Sequence, residues 1–167
     1  MSSELFSTVI DSPVGPLTIV ASDDGLRAVL WPDDDPKRVR LADSVDDPNH
    51  PVIAAARSQL GEYFAGERAS FDVALDPVGT EFQRAAWDAL RSIEYGTTLS
   101  YGEQAGRMGD RRKARAVGAA NGRNPISIIV PCHRVVGANG ALTGFAGGVD
   151  AKAWLLAHER EQIATGV

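Results

Sequence analysis

The run NPISIIVPCHRVVGANGALTGFAGG, Asn124 to Gly148, decides how this chain is read. At its centre stands Pro131-Cys132-His133-Arg134, and Cys132 is the only cysteine among 167 residues. Ahead of it, Ile126–Val130 reads as a buried strand or extended run that Pro131 ends, because proline cannot continue a central ladder. Behind it, Val135–Leu142 carries Gly137 and the tight-turn pair Asn139-Gly140, and Thr143–Gly148 is a glycine-rich loop that exposes backbone. A thiol beside an imidazole, between an apolar run and such a loop, points to an activated sulfur nucleophile at a pocket.

Upstream, Thr80-Glu-Phe-Gln83 and Ser100-Tyr-Gly-Glu103 are capping boxes, each opening a helix. The first helix carries Phe82, Ala86, Trp87, Leu90 and Ile93 on one side. The second is short and should stop at Gly109. Another helix, Lys113 to about Gly122, follows within a few residues, which gives helix-turn-helix form with arginines around the turn. From Ala114 to Gly122 that helix is almost without side-chain bulk except Arg115. Such smoothness suits either insertion into something narrow, such as a minor groove, or close packing inside the core. Downstream, Asp150 is expected to cap a last helix, Ala151–Arg160. On it Glu159 shares a face with Leu155 and Leu156, and position alone favours a surface charge.

The first 31 residues read as three short strands, Phe6–Ile10, Leu17–Ala21 and Leu26–Trp31, joined by turn residues as in an antiparallel meander. Residues 32–50 read as an acidic loop with at most a short helix. Pro51–Phe64 has helical apolar spacing, and Phe71–Leu75 looks like a final strand or extended linker. Nothing in this half carries recognisable chemistry, so it reads as scaffold. The expected architecture is an α/β N-terminal domain with a small antiparallel sheet over residues 1–78. A mainly α, winged-helix-like domain containing the helix-turn-helix follows over residues 79–167.

The net charge of −5 is uneven. Residues 1–78 carry 6 Lys/Arg against 14 Asp/Glu, whereas residues 79–167 carry 11 against 8. The basic excess gathers at Arg107, Arg111, Arg112, Lys113, Arg115 and Arg123, which reads either as a site for an anionic partner or as a solvated helix face. No apolar run reaches membrane-spanning length, and the N-terminus lacks a signal-peptide pattern. A single cysteine makes a reducing compartment, hence the cytoplasm, the natural expectation. His50, Cys132, His133 and His158 lack zinc spacing, so no metal or cofactor is expected.

The ordered set Arg115-Ala-Val-Gly118, Ala120-Asn121, Asn124-Pro125, Pro131-Cys-His-Arg-Val135, Gly140, Gly147-Gly148, Lys152, Leu155-Leu156 and Glu159 strongly resembles the O6-alkylguanine-DNA alkyltransferases. The likeness extends upstream through Thr80–Trp87 and Tyr95–Tyr101 and so spans the whole C-terminal half. Asp11-Ser-Pro-Val-Gly-Pro-Leu17 is also similar to that family's N-terminal domain. Pro-Cys-His-Arg alone is a modest signal, but in this order it is specific.

The resemblance implies direct-reversal DNA repair, in which the alkyl group of O6-alkylguanine moves irreversibly to Cys132 in a single turnover. By the same likeness, His133 takes the thiol proton through a bridging water, Glu159 orients the imidazole, Tyr101 donates to the guanine ring and Asn124 braces the turns. Glu159 is then expected to be buried. Backbone of Val135, Phe145, Ala146 and Gly147 forms the guanine pocket. In some relatives a tyrosine stands at the position of Phe145, so a hydroxyl is absent here. Arg115 enters the duplex as the base turns out, with Ala116, Ala119, Asn121, Gly122 and Arg123 along the minor groove. Arg107, Arg111 and Lys113 are expected to contact phosphates. The implied partner is double-stranded DNA, bound by a protein monomeric in solution, with assembly of several copies along DNA left open. The start of the turn after Pro131 and the nearby Arg134 are expected to lower the thiol pKa. A Cys-His hydrolase and a DNA-binding module without chemistry are the rival readings. The adjacency of Cys132 and His133 argues against the first, and the presence of Cys132 against the second.

Overall fold

The computed structural model describes residues 4–142 and 144–164; Thr143, within the loop expected over Thr143–Gly148, lies outside them. Strands β1 (Leu5–Ile10), β2 (Leu17–Ser22) and β3 (Gly25–Leu30) form the expected meander. The pairing is antiparallel, Phe6 opposite Ala21 and Ile19 opposite Val29. A fourth strand, β4 (Ser44–Asp46), joins the edge beside β1 in parallel, inside the segment read as loop. Three exposed residues between acidic and proline-rich neighbours give no alternation to detect.

Helix α1 (Pro51–Phe64) starts where His50 accepts from the amide of Val52 and Pro51 presets the first turn. Its Ile53, Ala56, Leu60 and Tyr63 are fully buried against the sheet face carrying Leu17, Ile19 and Ala21. The opposite face, with Leu5, Val20 and Ala28, is covered by Val39 and Leu41 of the loop after β3. That covering role explains why the loop lacks periodicity of its own.

Helix α2 (Glu81–Arg91) opens on the Thr80–Gln83 capping box, with both reciprocal bonds made. Helix α3 (Tyr101–Arg107) opens on the Ser100–Glu103 box in the same way. After Gly109 and a single 3-10 turn at Arg111–Lys113 comes α4 (Ala114–Gly122), completing the helix-turn-helix. The last helix, α5 (Val149–Ala164), begins earlier than expected and places Asp150 in its first turn instead of at its cap.

The two halves share one apolar core. Val29 donates to the carbonyl of Pro125, and Trp31 Nε1 donates to Ser127 Oγ at 3.1 Å. A single buried cluster therefore runs from Leu17 and Tyr63 through Trp87 to Ile126, Cys132 and Leu155.

Candidate active site

The approach to Cys132 is not a strand. Ile128 adopts φ 74°, a left-handed conformation rare for a β-branched residue, and Ile129 N donates to the carbonyl of Ser127 across it. This is the strained form of the three-residue γ-turn. At Pro131, φ −84° and ψ 65° with a Cys132 N to Val130 O bond make the relaxed mirror-image turn. Two reversals in six residues, Ser127 to Cys132, fold the apolar run back on itself, so it is buried with isolated bridges, such as Ile126 to Val29, in place of a ladder. Asn124 holds both, its Oδ1 accepting from Ile126 N and its Nδ2 donating to Val130 O at 2.8 Å. A 3-10 turn over Cys132–Arg134 then leads into β6 (Val135–Val136).

Parallel pairing of β6 with β5 (Leu99–Ser100) sets Leu99 beside Val135 and Ser100 beside Val136. Tyr101, the next residue and the first of α3, is thereby delivered to the edge of the site, where its ring lies along α4 at Gly118.

Behind the thiol lies a buried charged network. Glu159 and His133 are both fully buried, so Glu159 is not a surface charge. Its carboxylate meets His133 Nε2 at 2.7 Å, Arg134 Nε at 2.8 Å and Nη2 at 3.1 Å, and accepts from the Tyr63 hydroxyl at 2.7 Å. Burial alone would raise its pKa, but His133 and Arg134 outweigh that and hold it far below the ordinary glutamate range. An ionised carboxylate only accepts, so His133 Nε2 carries the hydrogen and Nδ1 presents its lone pair. That Nδ1 is buried and has no partner among the described residues. Burial also lowers the imidazole pKa despite Glu159, leaving the ring neutral and able to accept a proton.

Cys132 is 9% exposed, and its burial raises the thiol pKa. The expectation of a thiol acidified by Arg134 is thus overturned: Arg134 is spent on Glu159 and on the Ile93 carbonyl at 2.7 Å. The groups that partly offset burial are Asn124, Arg38 and Lys152. Lys152 is almost fully buried, and its Nζ donates to the Val135 carbonyl at 2.6 Å. The resting thiol is protonated and guarded.

The pocket loop rests on the N-terminal half. Phe145 packs edge-on to Trp31 with centroids 5.3 Å apart, and Lys152 Nζ lies 5.8 Å from the Phe145 centroid. A Cβ at Gly147 would sit 2.5 Å from the Trp31 ring, so only glycine permits this approach. Ala146 is exposed beside them.

On α4, Arg115, Ala116, Ala119, Gly122 and Arg123 are exposed along one side, while Val117, Ala120 and Asn121 face inward. The smooth helix therefore both packs and presents a low face. Asn121 departs from expectation: it is buried and exchanges two bonds with Gln104, at 3.0 and 2.7 Å, so its side chain is turned away from the exposed face. Arg107 bonds Ser92, Arg111 lies over the glycines of α3, and Lys113 sits above Phe82. Tyr63 and Trp31, from the half read as pure scaffold, were missed as parts of the site. Tyr63 fits the apolar face of α1, and only its packing reveals the use of the hydroxyl.

A solitary thiol backed by a neutral histidine with a free nitrogen, beside a helix-turn-helix with a smooth outer face, defines a class of nucleic-acid-directed cysteine nucleophiles. Comparison with known proteins makes the class particular. Residues 81–161 match the 6-O-methylguanine DNA methyltransferase DNA-binding domain, and residues 5–77 match the same family's ribonuclease-like domain. The methylated-DNA–protein-cysteine methyltransferase of Methanosarcina acetivorans is 48% identical over 152 residues, 91% of this chain and 96% of its own. The protein of the same name from Mycolicibacterium paratuberculosis is 50% identical over 153 residues, 90% of each chain. The crystal structure of Mycobacterium tuberculosis O6-methylguanine methyltransferase superposes with a TM-score of 0.85 at 47% identity, covering 95% of this chain and 94% of that one. The same organism's OGT in complex with DNA gives 0.86 at 45% identity, with the same coverage. The chain belongs to the 6-O-methylguanine DNA methyltransferase family.

Proposed function

We propose that the protein repairs O6-alkylguanine in double-stranded DNA by moving the alkyl group to Cys132, once per molecule. The observation that carries this is the unpartnered Nδ1 of a neutral, Glu159-oriented His133 in the residue next to a protonated thiol. His133 takes the thiol proton through a water. The thiolate attacks the alkyl carbon, the C–O6 bond breaks, and the electron pair leaves on guanine, which Tyr101 protonates. The products are S-alkylcysteine and guanine. No group in the network restores the thiol, so the change is terminal.

Because O6 is inaccessible in a stacked duplex, the nucleotide must turn out, and Arg115 fills the space it leaves. The exposed face of Ala116, Ala119, Gly122 and Arg123 lies in the minor groove. The backbone of Val135, Phe145, Ala146 and Gly147 receives the base, with Asn124 holding the turns. The chain acts as a monomer without metal or cofactor, in the cytoplasm, with its two domains meeting between residues 78 and 79. Support comes from family membership and from the relative solved with DNA. Among the described residues, no helix is long and apolar enough to cross a membrane.

Incubation with duplex carrying O6-methylguanine, followed by peptide mass analysis, tests the reading. One methyl group on the Cys132 peptide, never more than one per protein, is expected. Catalytic turnover, or an unmodified thiol beside repaired DNA, overturns it.

A further inference from the structure

The acidic N-terminal half places its few cations unevenly. Lys37, Arg38 and Arg40 lie together in the loop that covers the outer face of the sheet. This loop is fastened to the end of α4 by a reciprocal clasp. Arg38 Nη1 donates to the carbonyls of Asn124 at 2.7 Å and Gly122 at 3.3 Å, while Arg123 Nη1 donates to the Lys37 carbonyl at 3.1 Å. Arg38 is itself held by Asp34 through two bonds of 2.7 and 2.6 Å, so its charge is neutralised. Lys37 and Arg40 are different. Both are exposed, line one groove with Arg123, and form no ion pair among the described residues. The one carboxylate in that groove, Asp35, accepts from the backbone amide of Lys37.

The exposed residues of α4 run Arg115, Ala116, Ala119, Gly122, Arg123 toward this loop, so the two free cations extend that face across the domain junction. We propose that Lys37 and Arg40 form a second phosphate-contacting station, by which the N-terminal domain grips the duplex backbone beyond the end of α4. Two long cations anchored on a fixed loop neutralise phosphates without reading sequence. An otherwise acidic domain would repel DNA; this edge supplies the opposite sign where the duplex emerges from α4.

The proposal rests on duplex repair being the function, and the test separates the two. Binding of unmodified duplex is measured over a range of salt for the protein and its Lys37→Gln/Arg40→Gln variant, alongside methyl transfer from duplex and from free O6-methylguanine base. Each lost phosphate contact removes about 0.9 from the slope of log affinity against log salt, so the variant slope should shallow by about 2. Affinity near 0.1 M salt should fall about tenfold or more. Transfer from the free base should stay unchanged. An unchanged slope overturns the second station, as does a parallel loss of free-base transfer, which would mean the loop acts through the fold. If the unaltered protein transfers nothing from methylated duplex, the functional reading itself falls.

Discussion

The network behind Cys132, drawn from Tyr63, His133, Arg134 and Glu159, and the outer face of α4 are built on opposite principles. Around Glu159 both carboxylate oxygens are engaged, Oε2 by His133, Arg134 and Tyr63 and Oε1 by Arg134 and the Gly96 amide, with every side chain involved buried. Along α4 the exposed side is alanine, glycine and two arginines, and it is engaged at its far end, where Gly122 and Arg123 meet the loop carrying Lys37 and Arg38. The first region invests interaction energy in holding one imidazole tautomer. The second leaves its surface low and unsatisfied, ready for a partner. Substitutions should therefore separate: those in the network cost folding stability, and those on the face cost only engagement of DNA.

The largest effect belongs to Glu159→Gln. The amide keeps the shape but leaves Arg134 without its buried counter-charge, a loss on the order of 3–5 kcal/mol. Urea unfolding should register it, and methyl transfer should slow even at temperatures where the variant is folded, because the His133 tautomer is no longer dictated. Retained stability and rate would dissolve the contrast. The same network predicts a pH response. The folded-state pKa of His133 is lowered, so below its ordinary value of about 6.5 the unfolded chain binds more protons. Its contribution is present above that value and is lost as pH falls from 7 toward 5. Glu159, also lowered, adds a loss of stability only below about 4.3. A melting temperature that did not drop between pH 7 and 5.5 would mean the imidazole is already charged when folded.

How much of this was legible in the sequence follows the same divide. Local chemistry could be read: both capping boxes, helix α1 and the meander all follow from short-range residue patterns. So could Cys132-His133, whose adjacency is a matter of order in the chain. What escaped depends on long-range packing. Tyr63 reaches Glu159 across 96 residues, and Trp31 reaches Ser127 across the same separation. Neither contact leaves a periodic trace. The apolar run Ile126–Val130 looked like a strand because its composition is that of one. Only the Asn124 brackets and the reversed φ at Ile128 turn it into paired γ-turns. The thiol pKa was misjudged for a related reason. Arg134 is next but one to Cys132 in sequence, yet its charge is consumed by Glu159.

Asn121 gives the intermediate case, since it lies on the helix of the open face but belongs to the buried side. Asn121→Ala deletes both bonds to Gln104 and strands a buried amide oxygen, at roughly 1–3 kcal/mol. Unfolding midpoints should fall accordingly, while the salt slope of duplex binding stays as it was. A changed slope at unchanged stability would return Asn121 to the DNA-facing set.

Arg115→Ala should have the smallest effect on folding, within about 0.5 kcal/mol, because an exposed side chain on α4 is being removed. Its effect on function should be confined to duplex substrates. If the guanidinium occupies the space of the extruded nucleotide, losing it returns the unstacking cost of a few kcal/mol, about a hundredfold in transfer from duplex. Transfer from free O6-methylguanine involves no stack and should be unaffected. Equal losses on both substrates would tie Arg115 to the thiol chemistry. The open face would then share in the catalytic network, and the division between the two regions would fail.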